Sequence, residues 1–143
     1  MRTDIELAFA DGQYRFALGL AQIQEIQTKC GPIGAVYARV LAGRMAEDRT
    51  VGHPAYAAYD VGDLVEVVRQ GLIGGGEGFV DGQAVQVTAL RANELVQRYG
   101  PGAPGVPLSQ LWQLAASVLF ALIEGYEPAK QEVKKKPRKA TTR

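Results

Sequence analysis

Two alternating apolar triplets face each other across an Asp-Gly turn near the start of the chain, and no other feature restricts the fold as strongly. Ile5, Leu7 and Phe9 alternate with polar or small residues, and Tyr14, Phe16 and Leu18 alternate on the return. Asp11-Gly12 between them is a strong two-residue turn signal. A turn at 11–12 pairs Phe9 with Tyr14, Leu7 with Phe16 and Ile5 with Leu18, with all six side chains on one face. A lone hairpin is only marginally stable in water. The β-hairpin over 4–18 must therefore cover something that the rest of the chain supplies.

That remainder reads as helix. Leu20, Ile23, Ile26 and Cys30 step at three or four residues up to Gly31, which predicts a helix over about 19–30. Pro32 suits the first turn of a second, over 32–42, striped by Ile33, Val36, Tyr37, Val40 and Leu41. Residues 44–59 read as a loop. Asp60 looks like an N-cap for a third helix over 61–72, with Leu64, Val67, Val68 and Leu72 as its stripe and Gly71-Leu-Ile-Gly-Gly-Gly76 as its end. A second Asp-Gly pair, Asp81-Gly82, followed by Val85 and Val87, suggests a small hairpin or extended loop. Thr88 could cap a fourth helix over 89–99, built on Ala92, Leu95, Val96 and Tyr99. Three Gly and three Pro make 100–107 a linker. The fifth helix, 108–124, is apolar around more than half its circumference, so it either forms the centre of the domain or shows part of its face to a partner.

The chain has 143 residues, 47% apolar and 22% charged, enough for one domain with its own core. The net charge of +1 hides a split. Residues 126–143 hold seven basic and two acidic side chains; residues 1–125 hold nine basic and thirteen acidic. The basic segment lacks periodicity and is expected to be disordered. The fold class expected is α+β, mainly α: a single globular domain over 1–125, an N-terminal β-hairpin followed by about five helices, and a basic C-terminal tail over 126–143.

Chemistry is sparse. Cys30 is the one cysteine, so neither a disulfide nor a thiolate zinc cluster can form within the chain. His53, the one histidine, sits in a turn-like Gly-His-Pro context with no nucleophile nearby. The carboxylate pairs Glu47-Asp48 and Asp60/Asp63 are explained by solvation and helix capping. The glycine run at 71–78 lacks the Gly-Lys-Ser/Thr ending of a phosphate loop and follows a helix instead of opening one. No catalytic residue, metal ligand or cofactor is expected, and the protein is read as a non-enzyme. The apolar run Leu108–Ile123 contains Ser109, Gln110, Gln113 and Ser117 and falls short of the roughly 20 apolar residues of a membrane span. Met1-Arg-Thr-Asp-Ile-Glu lacks the apolar run of a signal peptide. The basic tail has no interleaved aromatics for base stacking, so nucleic acid is not the expected partner.

Particular segments carry a resemblance. Ile5–Leu18, Leu20–Gly31, Ala35–Gly43, Val67–Gly76 and Ala92–Tyr99 resemble the tail assembly chaperone family of long-tailed phages and gene transfer agents, in the branch once labelled as a tail tube protein. The likeness covers roughly residues 4–124. The Asp-Gly hairpin followed by a helix and the Gly-Leu-Ile-Gly-Gly-Gly block are its most specific parts. The loop at 44–59 looks longer than the pattern, and the basic tail lies outside it.

The resemblance implies a non-enzymatic chaperone that holds the helical tape measure protein and helps recruit tail tube protein subunits, acting in the bacterial host cytoplasm. It leaves a homo-oligomer open. Helix-in-groove packing would suit such binding. On this reading the partner-binding candidates are Leu64, Val68, Leu72 and Ile73 near the Gly-rich end of the third helix, and Trp112 and Leu119 on the last. Each also has a reading as core. Related chaperones are often made in a longer form by frameshifting, and Lys134-Lys135-Lys136 could mark a slippery codon run. The alternatives are a structural tail or head-tail connector component, and a nucleic-acid-binding accessory protein acting through the basic tail.

Overall fold

A computed structural model describes residues 1–44 and 56–128. His53, the Glu47-Asp48 pair and the basic segment from residue 129 onward lie outside the described residues. Strands β1 (Ile5–Phe9) and β2 (Gly12–Phe16) are followed by helices α1 (Leu20–Cys30), α2 (Ile33–Leu41) and α3 (Val61–Gly75). Strands β3 (Glu77–Val80) and β4 (Gln83–Gln86) and helices α4 (Ala89–Tyr99) and α5 (Leu108–Ile123) complete the order. The strands form one antiparallel sheet in the order β1-β2-β3-β4, so the uncertain segment at 77–87 is a true hairpin. The fold is α+β and mainly α.

The hairpin forms, but its register differs from expectation by two residues. Ile5 lies opposite Phe16, Leu7 opposite Tyr14 and Phe9 opposite Gly12, so the turn is Ala10-Asp11 and Ala10 takes a φ of 55°. Gly12 is drawn into β2 by its neighbour β3: a Cβ there would overlap the Phe79 carbonyl oxygen. A two-residue slip preserves side-chain alternation, so Phe9, Tyr14 and Phe16 still face inward, and Leu18 is buried just beyond the strand.

The centre of the domain is α3, not α5. It packs against β2, α1, α4 and α5, burying Leu64, Val67, Val68 and Leu72. Asp60 caps its start by accepting from the Gly62 N–H at 3.0 Å, and the Asp63 side chain returns to the Asp60 N–H at 3.0 Å. The helix continues to Gly75, past the glycines expected to end it. Gly71, Gly74 and Gly75 serve close packing: a Cβ at Gly74 or Gly75 would overlap the Ala17 or Arg15 carbonyl oxygen of the hairpin chain. Only Gly76, with φ 71°, terminates the helix.

The other stripes largely follow their periodicity. Ile26, Val36, Val40, Ala92, Leu95 and Val96 are buried. Leu20 departs from the pattern: it opens α1 outside the core cluster and is 71% exposed. α5 buries Leu111, Trp112, Ala115, Val118 and Leu119 and leaves Phe120 and Ile123 exposed. After α5 the chain is still paired at Tyr126, the first residue of the expected tail. Tyr126 exchanges backbone hydrogen bonds with Arg2, and its hydroxyl donates to the Asp4 carbonyl at 2.6 Å.

Candidate functional site

β1 is an edge strand, and α5 runs beside it. Between them lies a groove of about 780 Å³. Leu7, Phe9, Val106, Leu111 and Leu114 give it an apolar floor, and Ser109, Gln110, Gln113 and Ser117 line its helix side. β1 contributes Ala8, and the turn after it Ala10. In a ladder closed by a two-residue turn, the N–H and C=O groups of alternate residues turn away from the partner strand. On β1 these belong to Glu6 and Ala8. The groove thus combines apolar surface with unpaired strand backbone.

Among the described residues, the single charged residue lining the groove is Arg44. It bonds the Gln113 amide, and its guanidinium lies 4.7 Å from the centre of the Trp112 ring. Tyr59 covers Trp112 from another side at 4.9 Å, and the Trp112 indole N–H donates to the Val40 carbonyl at 2.7 Å. The end of α2 and the helix wall of the groove are thereby one unit. At the other end, the Tyr14 hydroxyl bonds Asp11, and Arg91 on α4 reaches Asp11 at 3.1 Å. Burial, with the hydrogen bond and charge of Asp11, pushes the Tyr14 phenol up to about 12. The base of β1 is held by Asp4, which accepts from Arg2 at 2.9 Å and Arg15 at 2.7 Å. Those two hydrogen bonds hold the Asp4 carboxyl well below its ordinary range.

A second, polar concavity of about 660 Å³ lies where α1, α2 and α3 meet. Its charges are internally matched. Arg39 holds the buried Asp63, while Lys29 and Arg69 both reach the buried Glu66 at 3.1 Å. Burial alone would raise the Asp63 pKa, but hydrogen bonds from Arg39 and the Asp60 N–H outweigh it, and the carboxyl stays below its ordinary value. The Cys30 thiol lies 3.7 Å from the Gly62 carbonyl oxygen. Burial and the nearby Asp63 and Glu66 charges push it up to about 11, which suppresses the reactive thiolate at neutral pH. Among the described residues no group of His, Cys, Asp or Glu is arranged to hold a metal ion, and no helix is long and apolar enough to cross a membrane. Among the described residues, the groove lining contains no acid, histidine or cysteine to activate its serines.

Leu64, Val68, Leu72, Trp112 and Leu119 lie together in the core, and Ile73 is half-buried at its margin. None of the six lines the groove, although Leu111 and Leu114 on the same helix do. The sequence reading missed the groove because its two walls lie about a hundred residues apart. One signal pointed to it: Ser109, Gln110, Gln113 and Ser117 interrupt an otherwise apolar helix, and they are the residues that line its helix side.

The family model described as phage tail tube protein, GTA-gp10, matches residues 2–125. No curated protein and no solved structure matches the chain. The matched span takes in every strand and helix of the fold, from β1 to α5. The chain therefore belongs to the phage tail tube protein, GTA-gp10, family.

Proposed function

We propose that this member of the family is a non-enzymatic tail assembly chaperone that holds a long partner chain during tail building. The observation that carries the reading is the groove between the free edge of β1 and α5, whose apolar floor and unpaired backbone suit an extended or helical apolar segment. The partner implied by the resemblance is the tape measure protein, with tail tube protein subunits joining as the tube grows in the host cytoplasm. Reversible holding requires a modest interface. The small share of strand favours this role over a subunit of the tube wall, since tube subunits are usually β-rich.

The test is capture of the tape measure protein from producing cells by the tagged full chain. Gln110→Trp, an exposed position on the groove wall, should fill the groove and lower capture by about tenfold. Unchanged capture by a folded Gln110→Trp protein would remove the groove from the account. A second reading, a structural tail component, is favoured by the family description, which names a tube protein. It requires the chain to be present in finished particles.

A further inference from the structure

The sheet has a second face, turned away from the core. Alternation along the strands brings Glu6, Gln13, Arg15, Glu77, Phe79 and Ala84 together there, lining a shallow concavity of about 490 Å³. Phe79, between Gln13 and Ala84 in register, is 54% exposed. Arg15 lies opposite Glu6 on β1, and the register of β2 on β3 carries it towards Glu77. Its guanidinium is engaged elsewhere, by the Asp4 carboxylate at 2.7 Å and the Gly75 carbonyl at 3.0 Å. Among the described residues neither Glu6 nor Glu77 has a cation within ion-pair distance. The face thus sets an exposed aromatic ring beside two unpaired carboxylates.

We propose that this outer face is the docking surface of the chain's own basic segment, residues 129–143, with Lys134, Lys135 and Lys136 meeting Glu6 and Glu77 and a lysine stem lying over Phe79. Three observations select this occupant. The first is charge: the segment carries seven basic side chains and one acidic one, and an aromatic ring beside carboxylates suits both the ammonium group and the apolar stem of a lysine. The second is where the chain leaves the described fold. Tyr126 is bridged to Arg2, and Glu127 lies 3.7 Å from the Met1 amino group, at the end of the sheet where Glu6 stands. The third is length. Glu6 lies about 13 Å along the strand direction from Arg2, and Glu77 about 10 Å further across, two strands away. Lys134 to Lys136 follow Pro128 by six to eight residues, an extended reach of about 20–28 Å. The same face of a second copy would set glutamates against glutamates, and a nucleic-acid backbone would meet the same two carboxylates. Any partner of Phe79 must first displace the segment.

The inference does not depend on the proposed function, because it is read on the purified full chain alone. Backbone amide shifts of the full chain and of its Lys134→Gln, Lys135→Gln, Lys136→Gln triple variant should differ chiefly at Glu6, Gln13, Phe79 and Ala84 when the ionic strength is about 0.01 M. Those differences should vanish at about 1 M, as the Debye length falls from about 30 Å to about 3 Å. The reciprocal change, Glu6→Gln with Glu77→Gln, should speed tryptic cleavage within 129–143 by about fivefold at low ionic strength and leave it unchanged at high. Neither set of changes touches the core, since Glu6 and Glu77 are exposed and the lysines lie outside the described residues. Shift differences that are absent or spread evenly over the domain overturn the proposal, as does cleavage indifferent to the two glutamates. So do shift differences that grow with protein concentration, because they place the segment on a neighbouring copy.

Discussion

Arg39 grips Asp63 with two parallel hydrogen bonds, Nε to Oδ2 at 2.9 Å and Nη2 to Oδ1 at 2.8 Å, and the same Nη2 donates to the Cys30 carbonyl at 2.9 Å. One side chain thereby joins the end of α1, the last turn of α2 and the start of α3. Asp63 is buried, so its charge is satisfied by Arg39 and the Asp60 N–H in place of water. Arg39→Met should cost about 3–5 kcal/mol in urea unfolding, because it strands a buried carboxylate. The double change Arg39→Met with Asp63→Leu should recover most of that loss. A single-mutant cost below about 1 kcal/mol would mean that water already reaches Asp63.

Acid should unfold the domain through the same carboxyls. Asp63 and Asp4 both have folded pKa values lowered by their arginines, so each binds a proton less readily folded than unfolded. Their contribution is complete above the ordinary carboxylate range and is lost as pH falls through the folded values. The melting temperature should be nearly level from about pH 7 to about pH 5 and fall below about pH 4. Arg39→Met should flatten that acid limb, and an unchanged limb would remove Asp63 from it.

The glycines of α3 separate packing from helix propensity. Gly75→Ala should destabilise the fold by roughly 2–3 kcal/mol, since a Cβ there overlaps the Arg15 carbonyl oxygen and α3 must move away from β2. Gly34→Ala, in α2 with open space at its Cβ, should stabilise by roughly 0.5–1 kcal/mol. Thermal unfolding of the pair measures both signs. A stabilising Gly75→Ala would show that the α3–β2 approach is looser than described.

Trp112 caps α2 from a distance. Its indole N–H satisfies the Val40 carbonyl, one of the last-turn groups that α2 cannot pair internally. Trp112→Phe leaves that oxygen buried and unpaired, and it leaves a smaller ring under Arg44. The expected cost is about 2 kcal/mol by far-ultraviolet circular dichroism, with the largest rise in amide exchange at the end of α2. Uniform exchange across the domain would argue that the indole is merely a packing group.

Much of this architecture is local and therefore legible from sequence. The Asp60 and Thr88 caps formed where their side chains stand before apolar stripes, and Thr88 accepts from the Arg91 N–H at 3.2 Å. Period-two alternation placed the right residues of β1 and β2 on one face. What failed to show was set by neighbours distant in the chain. The turn lies at Ala10-Asp11 because β3 crowds Gly12, and the glycine block of α3 resembles a stop in sequence because its packing partners, Arg15 and Ala17, lie far away along the chain. Arg39 and Asp63 meet across 24 positions with no periodic signal. The groove needed β1 and α5 side by side, and only the polar residues within α5 hinted at it.

The most direct measurement is the copy number of this chain in finished particles compared with producing cells. Quantitative mass spectrometry should find it associated with the tape measure protein in lysate and nearly absent from purified particles, well below one copy per tape measure chain. Recovery in particles at a fixed ratio near that of the tube subunits would contradict the chaperone account and establish a structural tail component.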